Sequence, residues 1–288
     1  MEVKASFDPV TSSLTYLVFD RATRDAVIID PVLDFDPVSG KLSTTAAGEV
    51  AQLVAEQALR VHWVIETHVH ADHLTAAQWF KQRLGAGVAV GRRIGEVQAL
   101  FRPILDLPAG VPGGGAQFDR LLQPGEPLVA GSLQFQILET PGHTPACITL
   151  QCEDAIFTGD ALFMEDQGTA RCDFPGGSPE TLYRSVHEVL YLLPDETRVY
   201  PGHDYQPGGR ELRYQTTIGR SKAANIHLKL ETTREQYVAA RSARDATLTP
   251  PRLLYPSVQL NLDAGRLPAA HGNGKRYLLV PLDGAVLE

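Results

Sequence analysis

The sequence predicts an α/β fold with sheets inside and helices outside, the layering of an αββα sandwich. Two observations point there. Short β-branched and aromatic runs alternate with stretches whose apolar residues recur at helical intervals, and strands, then helices, then more strands recur in two broadly similar halves. Periodicity leaves the layer order open, because buried strands and buried helix fragments look alike in short apolar runs.

Leu14 to Phe19 and Ala26 to Ile29, bounded by Asp, Arg, Thr and Pro, read as a hairpin. Gly48 to Arg60 sets Val50, Leu53, Val54 and Ala58 at helical spacing, and Val61 to Glu66 follows as a buried strand. Leu74 to Leu84 reads as a helix that Gly85 stops, and Val88 to Val90 as a short strand. The Gly- and Pro-rich run from Pro103 to Gly115 predicts a surface insertion that can contribute to a lid. Leu133 to Leu138, Ile148 to Leu150 and Ala155 to Phe157 read as strands, and Glu180 to Leu192 as a helix capped by Ser178. Arg198 to Tyr200 is one more strand. Beyond Tyr205 the chain turns basic and is expected to be helical through Arg210, Arg213, Arg220 and Lys222, with another helix near Thr233 to Arg244.

A net charge of -8 should repel nucleic acid and anionic membranes, so neither is an expected partner. The N-terminus MEVKASFDPV lacks a charged-then-apolar secretory pattern, and no apolar stretch approaches a membrane span; a cytoplasmic location is the expectation. The three cysteines, Cys147, Cys152 and Cys172, form no CxxC pair, which argues against a disulfide framework or a thiolate zinc site. Cys147 and Cys152 fit small core positions in an apolar strand, whereas Cys172 sits in a polar loop.

The chemistry concentrates in Thr67-His68-Val69-His70-Ala71-Asp72-His73, directly after a predicted strand. On an extended strand end residues i and i+2 point the same way, so His68 and His70 can converge while the turn swings Asp72 and His73 round. Asp72 as a simple helix N-cap is the plain alternative, but three of nine histidines within six residues are hard to excuse as composition. Thr140-Pro141-Gly142-His143, Thr158-Gly159-Asp160 and Tyr200-Pro201-Gly202-His203 each put a further ligand type just past a strand. Singly these would more often be turn formers. Together they describe a metal site on loops at one edge of a rigid sheet.

These motifs, HVHADH at His68 to His73, PGH at His143, GDA at Asp160 and PGH at His203, resemble the metallo-β-lactamase superfamily over about positions 10 to 210. The resemblance implies the αββα sandwich and a metal site at the sheet edge. Two branches look closest. In the hydroxyacylglutathione hydrolases the pattern implies two metals, one on His68, His70 and His143 and one on Asp72, His73 and His203, with Asp160 bridging. In the persulfide dioxygenases it implies a single Fe(II) per chain on His68, His143 and Asp160. Two histidines and a carboxylate then leave open positions for dioxygen and a substrate sulfur, and zinc is a feasible substitute.

Ala170-Arg171-Cys172-Asp173-Phe174, SPETLYRSVH from Ser178 and YPGHDY from Tyr200 look like the dioxygenase signatures, with Cys172 in a Thr place. On that reading the substrate is a small-molecule thiol persulfide, glutathione persulfide or similar, oxidised with O2 to sulfite and thiol. His70, Asp72, His73 and His203 would orient and tune the ligands. Arg171 and Asp173 would pair near the mouth, Tyr205 would donate a hydrogen bond to substrate or oxygen, and Arg210, Arg213 and Arg220 would bind carrier carboxylates unless they form a solvated helix face. The catalytic domain is expected over 1–246, with 247–288 a C-terminal extension packed on it. A binuclear thioester hydrolase and a non-catalytic metal-binding partner protein are the alternatives, and a homo-oligomer stays open.

Overall fold

A computed structural model describes residues 1–107 and 113–282. Among them, one six-stranded sheet has the order β1 (Glu2–Asp8), β2 (Ser13–Phe19), β3 (Asp25–Ile29), β6 (Arg60–Glu66), β8 (Gly87–Gly91), β9 (Arg120–Leu122). The first three strands run antiparallel and the rest are parallel. A hairpin of β4 (Val32–Asp36) and β5 (Lys41–Ser43) joins β7 (Leu74–Thr75) in a small third sheet. The second six-stranded sheet runs β10 (Leu128–Ala130), β11 (Leu133–Glu139), β12 (Ile148–Cys152), β13 (Ala155–Gly159), β14 (Arg198–Pro201), β15 (Thr216–Thr217).

Strand periodicity sorts side chains into layers. In β2, Leu14, Tyr16 and Val18 enter the core between the two sheets, while Leu17 and Phe19 face the helices. That outer layer is α1 (Thr45–Glu56), α2 (Ala77–Leu84) and α3 (Ile94–Ile104), contributing Val50, Phe80 and Phe101. In β13, Ala155 and Phe157 point between the sheets and Ile156 points outward to α4 (Pro179–Arg184), α5 (Ile218–Ala224) and α6 (Arg234–Asp245). Helix, sheet, sheet and helix are therefore stacked in that order, the αββα sandwich that the sequence resemblance implies.

Several local expectations are corrected. The helix expected from Leu74 begins at Ala77, because Leu74 and Thr75 pair with β4 and Thr75 spends its hydroxyl on Glu66 and the Ala77 N–H. Gly85 does stop it, in the left-handed region at φ 71°. Ser178 caps α4 by accepting from the Thr181 N–H at 3.2 Å, and the helix then widens into a π turn over Ser185–Val189. After Tyr205 a 3-10 turn over Pro207–Gly209 leads into irregular chain and β15 before α5 begins at Ile218, because Asp204 binds the Arg210 guanidinium and the Arg213 N–H. Helix α3 runs into the proposed insertion with Pro103 in its last turn, and the insertion's residues 108–112 lie outside the described set. All three cysteines are free and buried. The C-terminal extension carries α7 (Leu254–Asn261), whose Val258 joins the helix-layer core; its residues 283–288 lie outside the described set. Among the described residues no helix is long and apolar enough to cross a membrane.

Candidate metal centre

Four segments bring the polar groups together from both sheets: the loop after β6, the turn after β11, the end of β13 and the end of β14. Two glycines permit the close approach. A Cβ on Gly159, which has φ +48°, would sit 2.3 Å from Thr67 Oγ1, and one on Gly202 would sit 2.7 Å from Asp160 Oδ1.

His68, His143 and Asp160 offer ligand atoms that all lie within 4.8 Å of one another. Asp160 Oδ2 is 3.9 Å from His68 Nε2 and 3.7 Å from His143 Nε2. Both tautomers follow from the partners. Thr67 Oγ1 donates to Asp30 Oδ2 at 2.8 Å, so toward His68 it must accept, at 3.0 Å from Nδ1–H. His143 Nδ1–H donates to the Arg171 carbonyl at 2.7 Å, and a carbonyl only accepts. Each imidazole therefore keeps a proton on Nδ1 and turns Nε2 toward Asp160.

A second group, His70, Asp72 and His73, also offers atoms within 4.8 Å of one another. Asp72 is not a helix cap; its Oδ2 accepts from Ser13 at 2.9 Å and lies 3.0 Å from His73 Nδ1. His203 Nδ1–H donates to the Ser12 carbonyl at 3.1 Å, and its Nε2 lies 3.4 Å from Asp160 Oδ1 and 3.5 Å from Asp72 Oδ2. His70 Nε2 sits 3.0 Å from Asp30 Oδ1 and 3.5 Å from Glu66 Oε2. The imidazole rings pack together, His68 on His70 at 4.0 Å and His70 on His73 at 4.2 Å.

Electrostatics agree with a cation site. Burial, then neighbouring His70, pushes His68 well below the usual imidazole range, and burial with His73 does the same to His70, so both imidazoles are neutral near pH 7. Burial would raise Asp72, but His203 and His73 outweigh it and hold its carboxyl well below the usual range. Burial opposes a charge on His203, yet Asp160 and Asp72 raise its pKa. Most telling, His68 Nε2, His70 Nδ1, His73 Nε2 and Asp160 Oδ1 are buried without any hydrogen-bond partner. Orphaned buried nitrogens and oxygens of this kind are costly unless a further group satisfies them, and donors of this type at this separation suit a metal ion.

The centre forms the floor of a cavity of about 1010 Å³, walled by Phe163, Phe174, Tyr205, the β4–β5 hairpin and residues 248–253. Arg171 lines it and pairs bidentately with Asp173 at 2.6 and 2.7 Å, while its guanidinium lies over Phe174, whose ring meets His143 edge-on. Asp173 itself does not line the cavity. Tyr205 stacks parallel on His203 at 5.2 Å and is 55% exposed. Arg210, Arg213 and Arg220 do not line the cavity. Arg210 binds Asp166 and Asp204, and Arg213 and Arg220 both bind Glu165, which corrects the expectation that they face carrier carboxylates. The arginines on the wall are Arg171, Arg241, Arg244 and Arg252. Sequence reading missed Asp30, Glu66 and the backbone acceptors at Ser12 and Arg171, because motif spacing carries no signal for partners from other elements.

The model of the metallo-β-lactamase superfamily matches residues 8–203, more than half of the chain and the stretch holding all these ligand groups. The chain is 46% identical over 293 residues to a probable metallo-hydrolase of Burkholderia pseudomallei, covering 98% of this chain and 99% of that one. A β-lactamase hydrolase-like protein of Xylella fastidiosa is 46% identical over 98% of this chain, which spans 64% of that protein's length. Human mitochondrial persulfide dioxygenase ETHE1 is 35% identical over 205 residues, 70% of this chain and 68% of the human one. The crystal structure of ETHE1 from Myxococcus xanthus aligns with a TM-score of 0.74 at 34% identity, covering 92% of this chain and all of that one. With the folded layers, the ligand cluster and these similarities together, the chain belongs to the metallo-β-lactamase superfamily, on the branch that includes the persulfide dioxygenases.

Proposed function

We propose that the protein is an iron-dependent persulfide dioxygenase, taking a low-molecular-weight persulfide such as glutathione persulfide, with dioxygen and water, to sulfite and the parent thiol. One observation carries the reading: His68, His143 and Asp160 bring ligand atoms within 4.8 Å of one another at the floor of a large cavity, with His68 Nε2 and Asp160 Oδ1 buried and without a hydrogen-bond partner. Two imidazoles and one carboxylate on one face leave coordination positions for two reactants. Similarity to the human and Myxococcus proteins supports the same branch. A single ferrous ion held by His68, His143 and Asp160 would supply the Lewis acidity that favours the persulfide anion and a redox-active route by which the four electrons lost by the outer sulfur reach dioxygen. Zinc can occupy such a site, since affinity alone does not select iron.

The chain's own groups would do the rest. Thr67 and the Arg171 carbonyl fix the two imidazole tautomers, and His70, Asp72, His73 and His203 orient the neighbouring carboxylates. Phe163 and Phe174 exclude water from the floor of the cavity. Tyr205 would donate its phenol proton to the substrate sulfur or to oxygen, and the Arg171–Asp173 pair would brace the cavity mouth, with Arg171 on its wall. The protein is proposed to work in the cytoplasm, with the small persulfide and O2 as its partners. Residues 1–246 would form the catalytic domain and 247–288 its packed extension.

A second reading has its own observation. Asp160 turns Oδ1 toward His203 and Oδ2 toward His68 and His143, the disposition of a carboxylate bridging two ions. That would suit a binuclear hydrolase of glutathione thioesters. Metal analysis of protein purified without oxygen separates the two. One iron per chain supports the dioxygenase, and two metals near full occupancy would overturn it in favour of the hydrolase.

A further inference from the structure

Beyond the family match, the C-terminal extension sends one buried side chain to the back of the histidine loop. Asn261, the last residue of α7, is 5% exposed. Its Nδ2 donates to the His70 carbonyl at 2.9 Å and to the His73 carbonyl at 2.9 Å, and its Oδ1 accepts from the Thr75 N–H at 2.9 Å. Two acceptors and one donor fix which way the amide faces, since only Nδ2 can donate and only Oδ1 can accept.

These bonds grip both ends of the turn that carries His70, Asp72 and His73. Among the described residues no backbone–backbone hydrogen bond closes residues 68–73 on themselves; Ser13 holds the Asp72 and His73 side chains, and Asn261 is what binds the turn's carbonyls at His70 and His73. Thr75 extends the grip, its hydroxyl donating to Glu66, which lies beside His70. Helix α7 is a firm anchor, because Val258 packs with Ala77 and Phe80 in the helix-layer core and Leu260 packs on Leu74. Just ahead of it in the chain, Leu248, Pro251, Arg252 and Leu253 form part of the cavity wall.

We infer that Asn261 is a positioning residue of the metal centre, whose amide holds the His70 to Thr75 turn in the conformation that presents its ligands. The C-terminal extension is thus a strap on the centre as well as a wall of the cavity. The inference rests on the cluster holding a metal, and on neither the metal's identity nor the reaction.

Cobalt(II) titration of the metal-free full-length protein tests it, read by the visible d–d bands and by competition with a chelator. Asn261→Leu, near in volume and unable to hydrogen-bond, should weaken cobalt binding by about 10- to 100-fold, the usual cost of losing an outer-shell partner, and alter the bands. Asn261→Asp keeps the acceptor for Thr75 but turns a carboxylate oxygen on two carbonyls, so it should lose at least as much; it carries the comparison if the leucine variant does not fold. Val54→Ala removes apolar volume from the same helix-layer core on α1, away from α7 and the turn, and should lower Tm while leaving cobalt affinity within about twofold. Wild-type affinity and bands in the folded Asn261 variants, or equal weakening in Val54→Ala, would overturn the inference. Absence of persulfide oxidation would leave this result unaffected and count only against the proposed reaction.

Discussion

Thr67 decides which nitrogen His68 offers. Its single hydroxyl proton goes to Asp30, so the oxygen can only accept from His68 Nδ1–H, and Nε2 is left bare toward Asp160. Thr67→Val should therefore fold normally yet weaken iron binding by about 10- to 100-fold in a chelator competition; unchanged affinity would show that the tautomer is set elsewhere. Asp160→Ala should abolish iron retention, because one carboxylate serves three imidazoles. His73→Ala should leave much of it, and equal loss in both variants would contradict a single-ion centre. At this scale the histidines and Asp160 were legible because ligand residues cluster where ordinary surface would scatter them. Thr67's role, the Arg171 carbonyl and Asn261 were not, since each acts through a backbone atom or a partner far along the chain.

Loops at strand ends carry the ligands, and their glycines are what let those loops meet. At Gly202 any side chain would press on Asp160 Oδ1 and on the Gly159 backbone at 3.1 Å. Gly202→Ala should thus release iron from a protein whose circular dichroism is unchanged, and full iron retention would show that β14 yields more easily than its packing suggests. Periodicity located most strands and the capped helices, because buried strands and amphipathic helices write their period into the chain. It misread the stretch from Arg210 to Gln215, where charge suggested a helix face. There Asp204 and Glu165 bind the arginines and keep the backbone out of a helix, a tertiary contact that no local pattern announces. The π turn at Ser185–Val189 was equally invisible, as its residues keep helical spacing.

Across the whole molecule, acidic and basic side chains tie the segment after Tyr205 back to the loop after β13. Burial pushes the Glu165 carboxyl up, but hydrogen bonds from Arg213, the backbone and Thr216 outweigh it and bring it down to about 2 from a usual 4.5. A lowered folded-state value means that the charged cross-link stabilises above the usual carboxylate range, and that this stability fades as pH falls from about 4.5 toward 2. The stability gap between wild type and Glu165→Gln, measured by denaturant unfolding, should be constant above about pH 5 and close on acidification; a gap that widens would refute the assignment. The layered fold was legible in outline from alternating strands and helices, whereas the extension's grip on the histidine loop emerges only from packing. The central claim is that His68, His143 and Asp160 hold an ion on which a persulfide meets dioxygen. An oxygen electrode tests it most directly: iron-loaded protein given glutathione persulfide should consume about one dioxygen per persulfide and release sulfite. No oxygen uptake, with rapid hydrolysis of a glutathione thioester by the same preparation, would contradict it.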